Sequence, residues 1–464
     1  MYDAIIIGAG MSGLAAGIRL AYYDQRVCIL ERHYTIGGLN SFYRLRKRDF
    51  DVGLHAVTNY TPKGTRKGPL ARLLKQLRFS WDEFALRPQI GSEIAFPDLR
   101  LKFGNGLELL ESEIARAFPA QKDNFQRLLG KILEYDELNQ DNFEQSTRKI
   151  LDETISDPLL IEMLFCPLMW YGNARERDMD FGQFSILFRS IFMEGFARPL
   201  AGVRLILKKL VQKFRAFGGE LKLRAGVERI DFDGDRATGV VLDNGEQIAA
   251  RQIISSAGWL ETMRLCQSDQ VAEIAPSAAG QLSFTEAISV LDRQPRELAH
   301  EKTIVFYNDS PQFHWEKPAE LCDVRTGVVC SPNNYAYDAS EGELADGYLR
   351  ITALANFDRW QNLTDEQYQL EKLRCYDRMV ASAVRFVPDF RHAVIDNDVF
   401  TPTTIRRFTW HDNGAVYGAP RKRLDGATHL KNLHVCGTDQ GFIGIIGAMV
   451  GGISIANKCL LPES

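Results

Sequence analysis

The first 31 residues carry a strand, a glycine-rich turn, a helix and a second strand in that order. Ala4 to Ile7 is a short apolar run, as a buried parallel strand requires, and Gly8-Ala9-Gly10-Met11-Ser12-Gly13 follows it directly. Leu14 to Tyr23 has the small residues of a helix that packs closely on a sheet. Val27 to Leu30 is apolar again and ends on Glu31, 18 residues after the last glycine of the turn. This order predicts a βαβ unit with a parallel sheet, and hence an α/β fold.

The three glycines of this turn each meet a different requirement of a dinucleotide site. Gly8 permits the tight turn, Gly10 lets the backbone approach a pyrophosphate, and Gly13 lets helix and strand pack closely. The pyrophosphate would lie at the positive end of the helix. Glu31 can accept hydrogen bonds from the adenosine ribose hydroxyls and would repel a 2′-phosphate, which disfavours NADP. The alternative is a glycine turn in a Rossmann-like unit without a ligand.

A second glycine-rich turn, near the C-terminus, predicts FAD rather than NAD. Paired glycines, Gly37-Gly38, follow the second strand, and far downstream an apolar strand leads to an acid at Asp439. Gly441-Phe442-Ile443-Gly444-Ile445 then begins a helix. Asp439 would bind ribityl hydroxyls, and backbone N–H groups near Ile445 would face the pyrimidine end of the flavin and favour its reduced form. Helix capping is the alternative role of Asp439, and the two roles are compatible.

The sequence contains no second glycine triplet between a strand and a helix. Gly218-Gly219 precedes a strand, and Asn244-Gly245 fits a hairpin turn. Direct reduction by NADPH is therefore not predicted. Electrons are expected to pass to a quinone or to oxygen, or to stay on the flavin in a redox-neutral isomerisation.

Several motifs at both ends of the chain, and over residues 199–258, resemble those of one family. The sequence is similar to the phytoene desaturase, carotenoid isomerase and retinol saturase group of FAD proteins. The matching motifs are the two glycine-rich turns, Glu31 with Gly37-Gly38, Phe50-Asp51-Val52-Gly53, Gly226-Val227-Glu228-Arg229-Ile230, Ile253-Ile254-Ser255-Ser256-Ala257-Gly258 and Gly414-Ala415-Val416-Tyr417-Gly418.

This resemblance implies an α/β fold with a Rossmann-type FAD-binding domain of the glutathione-reductase/amine-oxidase kind. An α+β substrate domain, with a mixed sheet and helices, would be inserted into it. The FAD-binding domain would comprise residues 1–70, 200–262 and 395–464. The substrate domain would comprise residues 71–199 and 263–394, with 107–199 mainly helical.

The resemblance and the glycine motifs together predict one set of cofactor-binding residues. Val227 would hold the adenine through its backbone, as the equivalent residue does in relatives. The predicted set is Gly8, Gly10, Met11, Ser12, Gly13, Glu31, Arg32, Gly37, Gly38, Leu39, Asn40, Val227, Ala257, Gly258, Gly437, Asp439, Gly444, Ile445 and Ile446. Many amine-oxidase relatives carry Arg after the paired glycines, whereas Leu39-Asn40 stands here, which disfavours an amine oxidase.

Composition narrows the remaining classes of function. The net charge of −4 disfavours a nucleic-acid partner, and 45% hydrophobic with 25% charged residues is typical of a globular protein. Eight scattered cysteines without a CxxC pair indicate a reducing compartment and no metal site. The longest uncharged run, residues 440–457, contains five glycines and is marginal for a membrane span. We expect a cytoplasmic protein without a signal peptide, and peripheral membrane contact is left open.

Five phenylalanines between 181 and 196 recur at helical spacing. They lie on one face of a predicted helix and are Phe181, Phe184, Phe188, Phe192 and Phe196. A buried core helix is one interpretation. The other is the wall of an apolar tunnel, or a membrane-dipping surface, for a long isoprenoid or lipid, with Phe184, Phe188, Phe192 and Tyr417 as the substrate residues.

Histidines are the candidate acid–base groups, because imidazole exchanges protons near neutral pH. His55 follows the Phe50-Asp51-Val52-Gly53 motif, which runs close to the flavin in relatives. His411 precedes the Gly414 to Gly418 motif, and His314 is a third candidate. Each histidine also has a purely structural interpretation, and hydride transfer from a polyene can proceed by positioning alone.

The sequence therefore predicts an FAD-dependent oxidoreductase. Its reaction would desaturate, saturate or isomerise C–C bonds of an apolar isoprenoid, carotenoid-like or lipid substrate by hydride exchange with flavin N5. One alternative is a flavin oxidase of an amine or a porphyrinogen, with an aromatic cage formed by Tyr417 and Trp410. The other is a flavin-free lipid- or prenyl-binding protein of the same fold.

Overall fold

The computed structural model of the protein describes residues 1–136, 144–267 and 278–461. Its α-helices are α1 Met11–Tyr22, α2 Pro69–Leu77, α3 Glu108–Ala117, α4 Lys122–Glu134, α5 Thr147–Thr154, α6 Pro158–Gly172, α7 Phe181–Phe188, α8 Val203–Ala216, α9 Trp259–Leu265, α10 Phe357–Gln361, α11 Asp365–Ala383, α12 Pro402–Thr409 and α13 Gly444–Leu460.

The strands form two large sheets and two short ribbons. They are β1 Tyr2–Ile7, β2 Val27–Glu31, β3 Phe42–Leu45, β4 Arg48–Asp51, β5 Arg87–Pro88, β6 Ser92–Phe96, β7 Leu99–Phe103, β8 Ala197–Arg198, β9 Glu220–Leu223, β10 Val227–Asp233, β11 Arg236–Leu242, β12 Gln247–Ser255, β13 Ser283–Leu291, β14 Ile304–Asn308, β15 Cys322–Cys330, β16 Gly347–Ala355, β17 Val394–Phe400 and β18 Leu433–Val435.

The first sheet is the predicted Rossmann-type sheet, and β1 lies at its centre. β1 pairs in parallel with β2 and β12, β9 extends the sheet beyond β2, and β18 pairs in parallel with β12. β10 and β11 form an antiparallel extension that continues into β12. Because the strands from both ends of the chain and from residues 220–255 share one sheet, distant segments meet at its carboxyl edge.

Small residues let α1 lie directly on this sheet. A Cβ atom on Gly13 would lie 2.2 Å from the carbonyl oxygen of Gly8, and one on Gly17 would lie 2.8 Å from Ile29 Cδ1. The contact at Gly13 is with backbone and makes glycine necessary there, whereas a side chain at position 17 would require Ile29 to move. The helix thereby places its N-terminus at the end of β1.

The second sheet has the strand order β17-β13-β16-β15-β14-β6-β7. It is antiparallel except for the parallel pair β14–β6, so it is a mixed sheet. Helix α11 packs through Met379 and Ala383 against one face, where Ile351 and Val399 lie. The predicted boundary at residue 395 falls within β17, which pairs with β13 and therefore belongs to this second sheet.

Helices α3 to α7 and a π-helical turn at Arg189–Glu194 pack against the other face of the second sheet. The combination of a Rossmann-type sheet with a mixed sheet and helices confirms the predicted fold class. Within the described residues, no helix combines the length and the apolar character that crossing a membrane requires.

Candidate functional site

Two adjoining cavities lie where the first sheet meets the second. The first, of about 930 Å³ including the space open to solvent, contains the carboxyl ends of β1 and β2. The second, of about 1020 Å³ measured in the same way, contains the start of α13. We name them the cofactor cavity and the substrate cavity after the ligands that the sequence predicts. Both are lined by Leu39, Asn40, Thr438 and Ala448. A long ligand could therefore extend from one cavity into the other.

Most of the predicted cofactor residues come together in the cofactor cavity. Those lining it are Gly8, Gly10, Met11, Ser12, Glu31, Arg32, Gly37, Gly38, Leu39, Asn40, Val227, Ala257 and Gly437. Gly444 and Ile445 line the substrate cavity instead. Gly13, Gly258, Asp439 and Ile446 are outside the described lining of both cavities.

The glycine turn fits a pyrophosphate. Gly8 has a φ of +94°, which glycine adopts at little cost, whereas a Cβ atom on Gly10 would meet nothing within 4 Å. The space beside Gly10 is therefore open to a ligand. Helix α1 begins there without a side-chain cap, so its first backbone N–H groups are available to an anion.

Acceptor and donor groups lie at the end of the cofactor cavity where Glu31 is predicted to bind a ribose. Glu31 accepts hydrogen bonds from the backbone N–H groups of Ala9 (2.8 Å) and His33 (2.9 Å), which fixes its carboxylate at the end of β2. The Arg32 guanidinium donates to the carbonyl of Val227 at 3.0 Å. The same guanidinium lies 3.8 Å from the centre of the Trp410 ring, a cation–π distance.

Asp439 is buried beneath the second glycine-rich turn. Its carboxylate accepts hydrogen bonds at 2.6 Å from the backbone N–H groups of Trp259 and Ala419. These contacts connect α9, the Gly414 to Gly418 segment and the start of α13. The predicted contact of Asp439 with ribityl hydroxyls stays a prediction, and capping of α13 is not its role, because residue 443 holds the N-cap position.

The substrate cavity is mostly apolar. Its aliphatic and aromatic lining residues are Leu39, Val52, Ala56, Trp170, Tyr171, Phe284, Val328, Phe400, Ile405, Val416, Tyr417, Phe442, Ile443, Ile445 and Ala448. Helix α13 begins at its edge without a side-chain cap, so its N-terminal amides suit the electron-rich pyrimidine end of a flavin. This cavity suits a long hydrocarbon placed against the ring.

His55, Glu286 and Thr352 form a polar corner of this apolar cavity. His55 Nε2 lies 3.0 and 3.1 Å from the two carboxylate oxygens of Glu286, and Thr352 Oγ1 donates to the same carboxylate at 2.6 Å. Arg350 Nε donates to Glu286 Oε1 at 2.7 Å. Burial by itself would raise the pKa of Glu286, but the charges of Arg350 and of a protonated His55, together with the hydrogen bonds of His55 and Thr352, outweigh it and lower the pKa to about 2. Glu286 is thus an ionised carboxylate inside the fold.

His411 lies in the cofactor cavity, apart from His55. Its Nδ1 is 3.6 Å from Glu261 Oε1, and both side chains are buried. Burial lowers the pKa of His411, yet hydrogen bonding to Glu261 and the charge of that carboxylate outweigh burial, so the net shift is upward. His314, the third candidate, hydrogen-bonds Ser310 at 3.0 Å and lies outside the described lining of both cavities.

The phenylalanine face packs in the core. Phe184, Phe188 and Phe192 are completely buried and are not among the described residues that line either cavity. Phe188 contacts Phe125, and Phe192 contacts Phe103 edge to face. The structure therefore favours the interpretation of these residues as a buried core helix.

Tyr417, the fourth predicted substrate residue, lines the substrate cavity, and its hydroxyl donates to the carbonyl of Trp170. Trp410 lines the cofactor cavity instead. The two rings that an aromatic amine cage would require therefore line different cavities.

Sequence reasoning missed the partners of His55. Glu286 and Thr352 are register partners on β13 and β16, and Arg350 is two residues away on the same strand. One signal was present, because Glu286 and Arg350 are each the one charged residue of an otherwise uncharged strand, β13 and β16. Such buried charges are rarely retained without a charged partner.

Comparison with known proteins assigns the class. A family model described as flavin containing amine oxidoreductase matches residues 11–460. The chain belongs to this family, and it is an FAD-dependent oxidoreductase. The predictions of FAD as cofactor and of an oxidoreductase are therefore confirmed.

Individual relatives refine this placement. The chain is 23% identical over 506 residues to prolycopene isomerase 2, chloroplastic, of an Oncidium hybrid cultivar, with 98% of this chain and 83% of the relative covered. It is 24% identical over 535 residues to all-trans-retinol 13,14-reductase of Danio rerio, with 99% and 86% covered. An oxidoreductase structure from Methanosarcina mazei has a TM-score of 0.68 at 17% identity, with 98% of this chain and 99% of that one covered. The predicted resemblance to the carotenoid- and retinol-related FAD proteins is confirmed.

Proposed function

We propose that this FAD enzyme desaturates, saturates or isomerises C–C bonds of an apolar isoprenoid, such as a carotenoid-like polyene or a retinoid. The observation that carries the proposal is the apolar substrate cavity, which adjoins the cofactor cavity at Leu39 and Asn40. The activities for which the relatives are named, isomerisation of prolycopene and reduction of all-trans-retinol, support the same substrate class.

The proposed division of labour follows from the two cavities. The residues predicted for FAD would hold it through the N-termini of α1 and α13, and the bound flavin would supply hydride acceptance and donation. Trp170, Phe284 and Phe400 would exclude water and hold the hydrocarbon in one orientation. Holding the reacting carbon atoms against the flavin ring would lower the activation barrier, because the entropy of bringing the reactants together is lost on binding.

The electron partner is part of the proposal. A quinone or oxygen would accept electrons in a desaturation, since the sequence has no second glycine triplet for a nicotinamide cofactor. An apolar quinone is chemically compatible with the substrate cavity. Peripheral contact with a membrane would give both the polyene and a quinone access to the protein.

Anaerobic flavin reduction tests this proposal directly. The FAD-loaded protein is mixed without oxygen with phytoene, prolycopene or all-trans-retinol, and with putrescine and protoporphyrinogen as substrates of the alternative class. Flavin absorbance and chromatography of the extracted isoprenoids are recorded, and the chemically reduced protein is tested with the same polyenes. Conversion of a polyene with no response to the polar compounds is the expected result. Flavin reduction by putrescine or protoporphyrinogen alone would overturn the proposal.

A further inference from the structure

The tautomer of His55 follows from its contact with Glu286. The Glu286 carboxylate can only accept hydrogen bonds when ionised, and both of its oxygens lie within 3.1 Å of His55 Nε2. His55 must therefore carry its proton on Nε2. In the neutral ring, the lone pair then belongs to Nδ1.

Because Glu286 engages Nε2, Nδ1 is the ring nitrogen that remains for a ligand. The His55 side chain lines the substrate cavity and is 19% exposed, and its Nδ1 has no hydrogen-bond partner among the described residues. The backbone of His55 is held in place, because its N–H donates to the carbonyl of Gly53 (3.1 Å) and its carbonyl accepts from the Tyr335 hydroxyl (2.8 Å). The ring is thus presented to the cavity from a fixed segment.

Arg350 fixes both members of the pair. Besides its contacts with Glu286, its guanidinium donates to the carbonyls of Leu54 (3.0 Å) and Val52 (2.5 Å), which belong to the segment that carries His55. One buried cation therefore sets the position of the carboxylate and of the histidine backbone together. This support is typical of preorganised proton-transfer pairs, in which a third group orients the base.

We propose that His55 and Glu286 form a proton-transfer dyad in which His55 Nδ1 exchanges a proton with the substrate. The inference rests on the proposed function and deepens it. In a desaturation, one carbon would give up a hydride, with both electrons of its C–H bond, which the flavin would accept, and the neighbouring carbon would lose a proton to Nδ1. The electron pair of that second C–H bond becomes the new π bond. In a saturation, the hydride and the proton return by the same routes.

The dyad assigns each neighbour a role. His55 is a catalytic residue, since its Nδ1 would touch the reacting C–H bond. Glu286 and Arg350 are positioning residues, because they act through His55. Among the described residues, Glu286 hydrogen-bonds the His55 ring, Arg350 contacts Glu286 and the Leu54 carbonyl, and Tyr335 donates to the His55 carbonyl. The titratable side chains Tyr171 and Tyr417 line the same cavity.

Two substitutions separate catalysis from structure. His55→Gln keeps an N–H donor toward Glu286 at the place of Nε2 but has no atom in the place of Nδ1. In Glu286→Gln, the single amide oxygen must accept from Arg350, so the amide nitrogen faces His55. That nitrogen donates to His55 Nε2, and the imidazole proton therefore moves to Nδ1. Glu301→Gln, an exposed position, is the matched control for loss of a carboxylate. Glu286→Gln/Arg350→Gln removes both buried charges and serves if the single variant does not fold.

Turnover and tautomer are measured on the FAD-loaded full chain. The rate of the polyene reaction should fall about a hundredfold to ten-thousandfold in His55→Gln, with a changed pH profile, and stay unchanged in Glu301→Gln. ¹⁵N NMR of histidine-labelled protein should show that His55 is protonated on Nε2. The His55 signal is the one that is missing from the spectrum of His55→Gln. The Glu286→Gln variant, or the double variant if needed, should lose this preference.

The outcomes distinguish the dyad from the proposed function. Equal turnover by wild-type protein and His55→Gln with the same pH profile would overturn the dyad alone. A proton on Nδ1 in the wild-type spectrum would also overturn it. FAD-loaded wild-type protein that converts none of the polyenes would overturn the proposed function, while the NMR result would still decide whether the structural pair exists.

Discussion

Arg350 Nη2 lies 2.6 Å from Glu286 Oε1 inside the second sheet, where the side chains are 4% and 2% exposed. Neither charge can be hydrated by bulk water at this depth. The pair is therefore tolerated only because each ion compensates the other and because Thr352, Val52 and Leu54 satisfy further polar groups. Its position beside the substrate cavity links sheet stability to the chemistry of His55.

Loss of one partner should cost far more than loss of both. Arg350→Met leaves the Glu286 carboxylate buried without its cation, and we expect the free energy of unfolding to fall by about 3–5 kcal/mol. Glu286→Gln/Arg350→Gln should recover most of that loss. Urea denaturation of the two variants measures the difference. Arg293→Gln, at the surface pair Arg293–Asp292, is the control and should leave the free energy of unfolding almost unchanged. Equal losses in the single and double variants would contradict this account.

The pH dependence of stability should report the same carboxylate. The pKa of Glu286 is about 2 in the folded protein, below its ordinary value of 4.5, so the folded state binds its proton less readily than the unfolded state. The stabilisation is therefore complete above about pH 4.5 and is lost as the pH falls toward 2. Urea unfolding at stepped pH should show this decline in wild-type protein and in Glu301→Gln. A similar slope in Glu286→Gln/Arg350→Gln would assign the effect to other groups.

The cofactor half of the molecule could be predicted because its signals are local. Gly8, Gly10, Gly13 and Glu31 lie within one βαβ unit, so spacing alone fixes their relation to the first sheet. The second glycine-rich turn adds the strand β18 and the start of α13. The α/β class followed from these few positions, whereas the inserted substrate domain was implied by the family resemblance.

The substrate half could not be predicted to the same depth. His55 and Glu286 are 231 residues apart, and their contact depends on how the segment after β4 packs against β13, which the sequence does not specify. The neighbouring position of Thr352 depends on the register of β13 and β16. For Phe188, helical spacing predicts a buried face but not what that face contacts. Core packing and a cavity wall give the same pattern in the sequence.

Two glycines of the first turn should fail in different ways when changed to alanine. Gly10 has a φ of −73° and open space at its Cβ, so Gly10→Ala should fold normally as apoprotein. Its methyl group should obstruct the pyrophosphate and weaken FAD binding by at least about tenfold. Gly13→Ala should instead destabilise the apoprotein, because its Cβ would lie 2.2 Å from the Gly8 carbonyl oxygen. Thermal unfolding without FAD and quenching of flavin fluorescence separate the two effects. Normal FAD affinity in Gly10→Ala would place the pyrophosphate elsewhere.

Substitution of two phenylalanines should distinguish a residue of the hydrophobic core from a residue of the cavity wall. Phe188→Leu should lower the free energy of unfolding by about 1–3 kcal/mol and leave KM for the polyene unchanged, because Phe188 is fully buried in the core. Phe284→Leu alters the wall of the substrate cavity and should raise KM about tenfold. Steady-state kinetics and urea denaturation are measured on both variants. A large KM effect in Phe188→Leu would restore the interpretation of that helix face as a substrate wall.

We expect Asp439 to stabilise the folded protein even when no FAD is bound. Its two carboxylate oxygens each accept a backbone N–H, from Trp259 and from Ala419, at 2.6 Å. Asp439→Asn replaces one acceptor with an amide donor that must face one of these N–H groups, so a buried donor loses its partner. We expect the apoprotein to lose about 1–3 kcal/mol of unfolding free energy, measured by urea denaturation without FAD. Asp425→Asn, a change at a neighbouring exposed carboxylate, is the control. Unchanged apoprotein stability with weakened FAD binding would show instead that Asp439 acts on the ribityl hydroxyls, and that the contacts with α9 and the Gly414 to Gly418 segment contribute little.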